Sequence, residues 1–217
     1  MARSTGRALT TVGFTAIATG GVAMLTLHAG TDLSPLHNLI SEYAFEAEGW
    51  LLEASLTLLG LGAVLFGLVA FRRGTDTPVA LLVSLWGLCM FLVGLFPTDA
   101  PGLPLSFSGG VHRYAALVAF LAMPVAGLLI AYRYRDAPMA KGVRRLSVAA
   151  LACLLLVVVP YIFRMVGIEV SNDDIPAGLT QRLVVITEVG VLALTGLWLR
   201  AGGTGVRPVE CAVRDAA

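Results

Sequence analysis

Apolar residues along the chain come in long unbroken runs, not in the alternation of a strand or the one-sided stripe of a helix in water. A helix needs roughly 20 apolar residues to cross a hydrocarbon core of about 30 Å. Runs of that length are read at about 8–28, 49–71, 78–97, 111–133, 145–166 and 181–200. They predict an all-α, integral membrane six-helix bundle. Residues 1–200 form a single transmembrane domain in this reading, and 201–217 form a cytoplasmic tail. The first run is too long for a signal peptide and five more spans follow it, so it is read as a retained helix. Most connections are short, which makes successive helices antiparallel neighbours. The long connection, 29–48, carries Leu36, Leu39, Ile40, Tyr43 and Phe45 at helical spacing, which predicts a short interfacial or re-entrant helix.

Composition agrees with this pattern and adds a direction. The 217 residues are 57% hydrophobic and only 13% charged, too few polar side chains to clothe a water-soluble domain of this size. The net charge of +1 has no basic patch behind it, so no nucleic-acid partner is expected; the lipid bilayer is. Cys89, Cys153 and Cys211 lack any CxxC spacing, which argues against a disulfide framework or a zinc site. Alternate connections divide the charges unevenly. The side holding the N-terminus, Arg72, Arg73, the 133–145 connection and the tail takes 12 of the 15 basic residues, while 10 of the 14 acids fall on the other side. Positive charge favours the cytoplasm, so both termini are expected inside, in the cell membrane.

The polar residues of the outward side then need explaining. Asp32, Glu46, Glu169, Asp173 and Asp174 lie in loop-like sequence and read as solvated charges. Glu53 lies about one turn, roughly 6 Å, into the second helix, and Glu188 lies six residues beyond Arg182, roughly 9 Å deeper along its own helix. Asp99 ends the third helix in GLFPTD, and His112 and Arg113 open the fourth in GGVHRYAA. Ionisable groups at membrane depth usually face a bundle interior or a wet cavity, so Glu53 and Glu188 are expected in an interior polar site. Alternatively, Arg113, Arg164 and Arg182 pair with Asp99, Glu53, Glu188 or Glu42 and merely clamp the helices. Tyr43, Trp50, Tyr114 and Tyr161 fit an aromatic belt at the outer interface. No HxxH or HExxH pair supports a metal, even with His37, Glu42, His112 and Asp99 available, and no phosphate loop or dinucleotide fingerprint implies a cofactor. The glycines scattered through the spans read as close-packing positions between helices.

Four stretches carry a resemblance: SEYAFEAEGW at 41–50, GLFPTD at 94–99, GGVHRYAALVAF at 109–120 and GLTQRL at 178–183. Together they resemble the bacterial membrane family catalogued as domain of unknown function 998, in the expected order from about 20 to 200. That family implies a compact six-helix bundle. In size and helical character the chain is also similar to actinobacterial membrane-bound terpene cyclases, which cyclise the farnesyl chain of drimentine-type indole sesquiterpenoids. This second resemblance implies a protonation-initiated cyclase acting on a lipophilic prenylated substrate that enters from the bilayer.

Such chemistry needs a carboxylic acid kept protonated by burial, aromatic faces for passing carbocations, and a cavity that excludes water. A pocket lined by Glu53, Asp99 and Glu188, with Tyr43, Trp50 and Tyr114 around it, meets those needs. In that reading one of the three acids is the proton donor, and His112 or Glu42 tunes it or takes the final proton. Arg113 and Arg182 orient the carboxylates. The absence of a DDxxD run favours protonation over ionisation of a diphosphate. The rival readings are a non-catalytic membrane protein whose polar cluster is structural or holds a lipid-like ligand, and a proton-coupled transporter.

Overall fold

The computed structural model describes residues 2–100, 102–167 and 176–202. Within them lie six long helices: α1 (Ala2–Ala29), α2 (Trp50–Arg72), α3 (Thr77–Leu95), α4 (Phe107–Arg133), α5 (Ala140–Met165) and α6 (Ala177–Arg200). All six are long and apolar enough to cross a membrane, and no strand occurs among the described residues. In hydrocarbon, backbone N–H and C=O groups have no water to bond, so apolar runs close their hydrogen bonds internally as helices. The chain is thus an integral membrane six-helix bundle. A short 3-10 helix, Ile40–Phe45, stands in the long α1–α2 connection.

Helix ends follow capping chemistry more than hydropathy. Asp76 accepts from the Val79 amide and Pro78 sits in the first turn of α3; Ser106 likewise accepts from the Gly109 amide at the start of α4. At the other end of α3, Pro97 disfavours helical backbone at the residue before it, and Phe96 is extended (φ −112°, ψ 96°).

Consecutive helices pack side by side, and α6 closes the bundle by also touching α1, α2 and α4. Close crossings rest on glycine. A Cβ on Gly60 would lie 2.6 Å from the Gly87 carbonyl oxygen, and a Cβ on Gly87 would meet the Gly60 oxygen at the same distance, so α2 and α3 touch backbone to backbone there. Large apolar side chains such as Leu25, Leu81, Leu88, Leu155 and Ile186 point outward, as a lipid-facing surface requires.

The end of the bundle where α1 begins and α6 ends is bolted by polar contacts. Arg133 reaches buried Asp76 at 2.5 Å, the Tyr134 hydroxyl donates to the Thr75 carbonyl at 2.6 Å, and Arg73 donates to the Leu199 carbonyl. Tyr134 packs on Trp198 with ring centroids 4.6 Å apart, so the α2–α3 turn and the ends of α4 and α6 are tied together. The opposite end is built differently and encloses a cavity.

Replacing Gly60 or Gly87 by leucine is expected to force α2 and α3 apart and lower stability by about 1–3 kcal/mol. Thermal unfolding in detergent measures this, and Gly110→Leu, at a position with open space where its Cβ would go, is the control.

Candidate functional site

Glu188 lies on α6, fully buried at 0% exposure, midway through a helix whose neighbours are almost all apolar. Trp86 of α3, itself 1% exposed, donates its indole N–H to Glu188 Oε2 at 2.9 Å. The other carboxyl oxygen, Oε1, is buried and has no hydrogen-bond partner. Neither ion pair among the described residues involves Glu188, so no cation compensates it. Taking an unpaired carboxylate out of water is very costly, and such a group is far more stable as the neutral acid.

Glu188 lines a cavity of about 50 Å³ shared by α1, α2, α3, α4, α6 and the 3-10 helix. The lining follows helical spacing: Gln181, Val185 and Glu188 on α6, His112, Ala116 and Phe120 on α4, and Trp86, Met90 and Val93 on α3. These registers run in parallel along the bundle. Glu188, Trp86 and Phe120 form the deep end, while Gln181, His112 and Ser41 of the 3-10 helix form the end nearer the loops. Gln181 and Glu188 are separated by roughly 10 Å along α6.

At the loop end, His112 is buried and its Nδ1 faces two carbonyl oxygens, Phe96 at 2.9 Å and Val93 at 3.1 Å. Both partners are acceptors, so Nδ1 carries the hydrogen, and Nε2 is an acceptor in the neutral ring. Gln181 Oε1 accepts from the Ile40 amide at 2.7 Å, pinning the 3-10 helix over the cavity.

That cover is held chiefly by Arg182, which is 7% exposed. Its Nη1 donates to the carbonyls of Pro35, Asn38 and Gly178 at 3.0, 2.7 and 2.9 Å; Nη2 donates to the Tyr43 hydroxyl at 2.7 Å and Nε to His28 Nε2 at 3.0 Å. The guanidinium also stands 5.4 Å from the centre of the Tyr43 ring. Gly178 makes room for this approach, because a Cβ there would lie 2.4 Å from the Asn38 oxygen.

The structure thus brings Glu188 and His112 into one cavity and puts Tyr43 and Arg182 in its cover, and it separates the other expected residues from them. Glu53 and Trp50 are exposed on the outer side of α2, and Trp50 donates to Glu48 at 2.7 Å. Tyr114 and Arg113 are also exposed, on the face of α4 away from the cavity. Glu42 accepts from Asn38 at 2.6 Å within the long connection. Asp99 caps α4: its Oδ2 accepts from the Ser106 amide at 3.0 Å, and a Cβ on Gly109 would run into its carboxylate. The hydrogen bonds from Ser106 hold the Asp99 carboxyl below its ordinary pKa, which keeps it ionised and makes it a poor proton donor. Arg182 meets carbonyls rather than a carboxylate, and neither it nor Arg113 forms an ion pair among the described residues. The side chains of Arg164 and Tyr161, and all of Glu169, Asp173, Asp174 and Cys211, lie outside the described residues.

Sequence reasoning missed Trp86, His28, Gln181 and Phe120. Trp86 had a signal: an indole N–H at mid-membrane in LVSLWGLCMF needs an acceptor, and Glu188 is at matching depth.

With this geometry in view, the chain belongs to the family described as "Protein of unknown function (DUF998)", which matches residues 11–198. No curated protein and no solved structure matches it.

Arg182→Leu is expected to destabilise the fold by on the order of 3 kcal/mol, because it orphans several buried acceptors at once. Arg182→Lys should recover little, since an ammonium cannot reproduce the planar fork. Limited proteolysis should show cleavage in 31–45 rising in both variants, with the α2–α3 turn unaffected.

Proposed function

We propose that this protein is a membrane-bound terpene cyclase that starts cyclisation by protonating an isoprenoid, with a farnesylated indole as the substrate class. The observation that carries the reading is Glu188: a fully buried acid with one oxygen unpartnered, in a cavity otherwise lined by apolar and aromatic side chains. An acid so placed has nothing to protonate except what enters the cavity. The deep end of the cavity, at Glu188, is the place for the terminal isoprene unit of a longer chain. That unit is the part that must react first, and the rest of the substrate lies toward the loops and the bilayer.

In the proposed step the Glu188 hydroxyl proton passes to the terminal carbon–carbon double bond, leaving a tertiary carbocation. The next double bond attacks it and closes a ring. Trp86 and Phe120 are the aromatic side chains beside the cation as it forms at Glu188 and moves toward the loop end. Loss of a proton to His112 Nε2 makes a new double bond; once the product has left, His112 gives that proton to water at the loop end and Glu188 takes one up from water passing through the emptied cavity. Substrate and product are isomers, so no cofactor is consumed. Asp99, Glu42 and Glu53 have no part in this step; Tyr43 and Arg182 hold the cover. Both termini face the cytoplasm in this reading, supported by the 12 basic residues on their side.

Membranes containing the protein, incubated with 3-farnesylindole, should yield a product of unchanged mass and fewer double bonds. Glu188→Gln should lower turnover at least a thousandfold while leaving the melting temperature within a few degrees, since the amide can still accept from Trp86. Full turnover in that variant would overturn the mechanism. If the wild type binds the substrate and leaves it unchanged, the site is a lipid-binding one without chemistry.

Orientation is tested separately. A cysteine introduced at Leu103 should react with a membrane-impermeant maleimide on intact cells, and one at Asp136 only after the membrane is opened.

A further inference from the structure

The two ends of the Glu188 cavity differ in chemistry, and the loop end is polar without being charged. Gln181 spends its oxygen on the Ile40 amide, which leaves its NH2 group unpartnered among the described residues. The Ser41 hydroxyl is likewise unpartnered there, and His112 keeps Nε2 after giving Nδ1–H to the Val93 and Phe96 carbonyls. Gln181, Ser41 and His112, which carry a donor, a donor–acceptor and an acceptor, thus line one end of the space, with Glu188 roughly 10 Å further in. No cation lines the cavity: Arg182 gives its donors to carbonyls, Tyr43 and His28, and Arg113 is exposed.

We propose that the cavity reads its ligand end-on, as a neutral amphiphile: an uncharged hydrogen-bonding group held by Gln181, Ser41 and His112, and an apolar chain whose tip reaches Glu188. This rests on the reading of the cavity as a ligand site, and it adds the head-group class. A hydroxyl, amide or heteroaromatic N–H fits the loop end. A phosphate or diphosphate does not, because a doubly charged group would lose its water with no cation to compensate it. Gln181 is the specificity-determining residue, since its free NH2 is the one fixed donor held in place by a backbone contact. The pathway step that supplies the ligand must therefore already have removed any diphosphate.

The test uses the full chain in lipid nanodiscs with tritiated farnesol as the probe. Unlabelled farnesol, farnesyl diphosphate and the headless hydrocarbon 2,6,10-trimethyldodecane serve as competitors. Farnesol should compete at least tenfold better than either of the others. Gln181→Leu should weaken farnesol about tenfold and leave the hydrocarbon unchanged, the effect of losing one hydrogen bond of ordinary strength. Because Gln181 also pins Ile40, Ser41→Ala is the second variant. It removes a hydroxyl with no partner in the described chain and should weaken farnesol about threefold with the melting temperature unchanged. Glu188→Gln should bind farnesol as the wild type does, so loss of turnover in that variant bears on the acid and not on head-group recognition. Farnesyl diphosphate or the hydrocarbon competing as well as farnesol would overturn the proposal, as would the absence of saturable farnesol binding.

Discussion

The loop end of this bundle depends on how a buried arginine is satisfied. Arg182 lies where α6 enters the bundle, and its donors go to three carbonyls, a tyrosine hydroxyl and a histidine nitrogen rather than to an acid. Those acceptors come from α1, from α6 itself and from the connection before α2, a segment with few regular hydrogen bonds of its own. A buried ion pair would have neutralised the cation more fully, but a carboxylate can bond only where it stands. A planar guanidinium spreads over several backbone oxygens at once and so fixes the path of the 31–45 segment. The cover of the cavity is thereby held without drawing on any acid in the bundle.

This leaves Glu188 isolated. Six residues separate it from Arg182 on α6, and the geometry of a helix puts roughly 9 Å between them along the axis. The positive group is satisfied in the loop layer and the acid is left in the apolar layer. The two ends of the bundle also differ in their bonding. Where α1 begins and α6 ends, Asp76 and Arg133 form a conventional ion pair and Tyr134 packs on Trp198 with tilted rings. At the other end the polar contacts contain no ion pair among the described residues and lie around a cavity.

The sequence pattern reveals the six helices, because an apolar run of membrane length has no other way to satisfy its backbone. It reveals Glu188 and His112 for the same reason: a polar group at depth needs a purpose. It does not separate Glu188 from Glu53. Both stand in apolar helices, and in α2 nearly every face is apolar, so periodicity cannot say which one turns inward. Position decides it, since Glu53 follows Trp50 by three residues and shares its exposed face. Arg182 looked like a partner for carboxylates because the acceptors it uses are backbone oxygens, which leave no mark in a sequence. The four stretches that carry the family resemblance make physical sense in pairs. GLTQRL holds SEYAFEAEGW through Arg182 on Tyr43 and, one residue before that stretch, through Gln181 on the Ile40 amide, while GGVHRYAALVAF closes on GLFPTD through His112 and through Asp99 against Gly109. All four build the loop end.

The deep end of the cavity offers a water few partners. A buried water is held by two to four polar partners. The indole N–H of Trp86 is already committed to Glu188 Oε2, which leaves Oε1 as the polar atom on offer among leucine, methionine and aromatic side chains. One partner is too few to fix a water, so the acid is left both desolvated and unpaired. An unsatisfied buried polar group costs about 1–3 kcal/mol, and the close helix packing and the bolted far end supply enough stability to sustain it. Local violations of this kind are expected at functional or strained sites, and Glu188 Oε1 shares its cavity with groups of Gln181 and Ser41 that are unpartnered among the described residues.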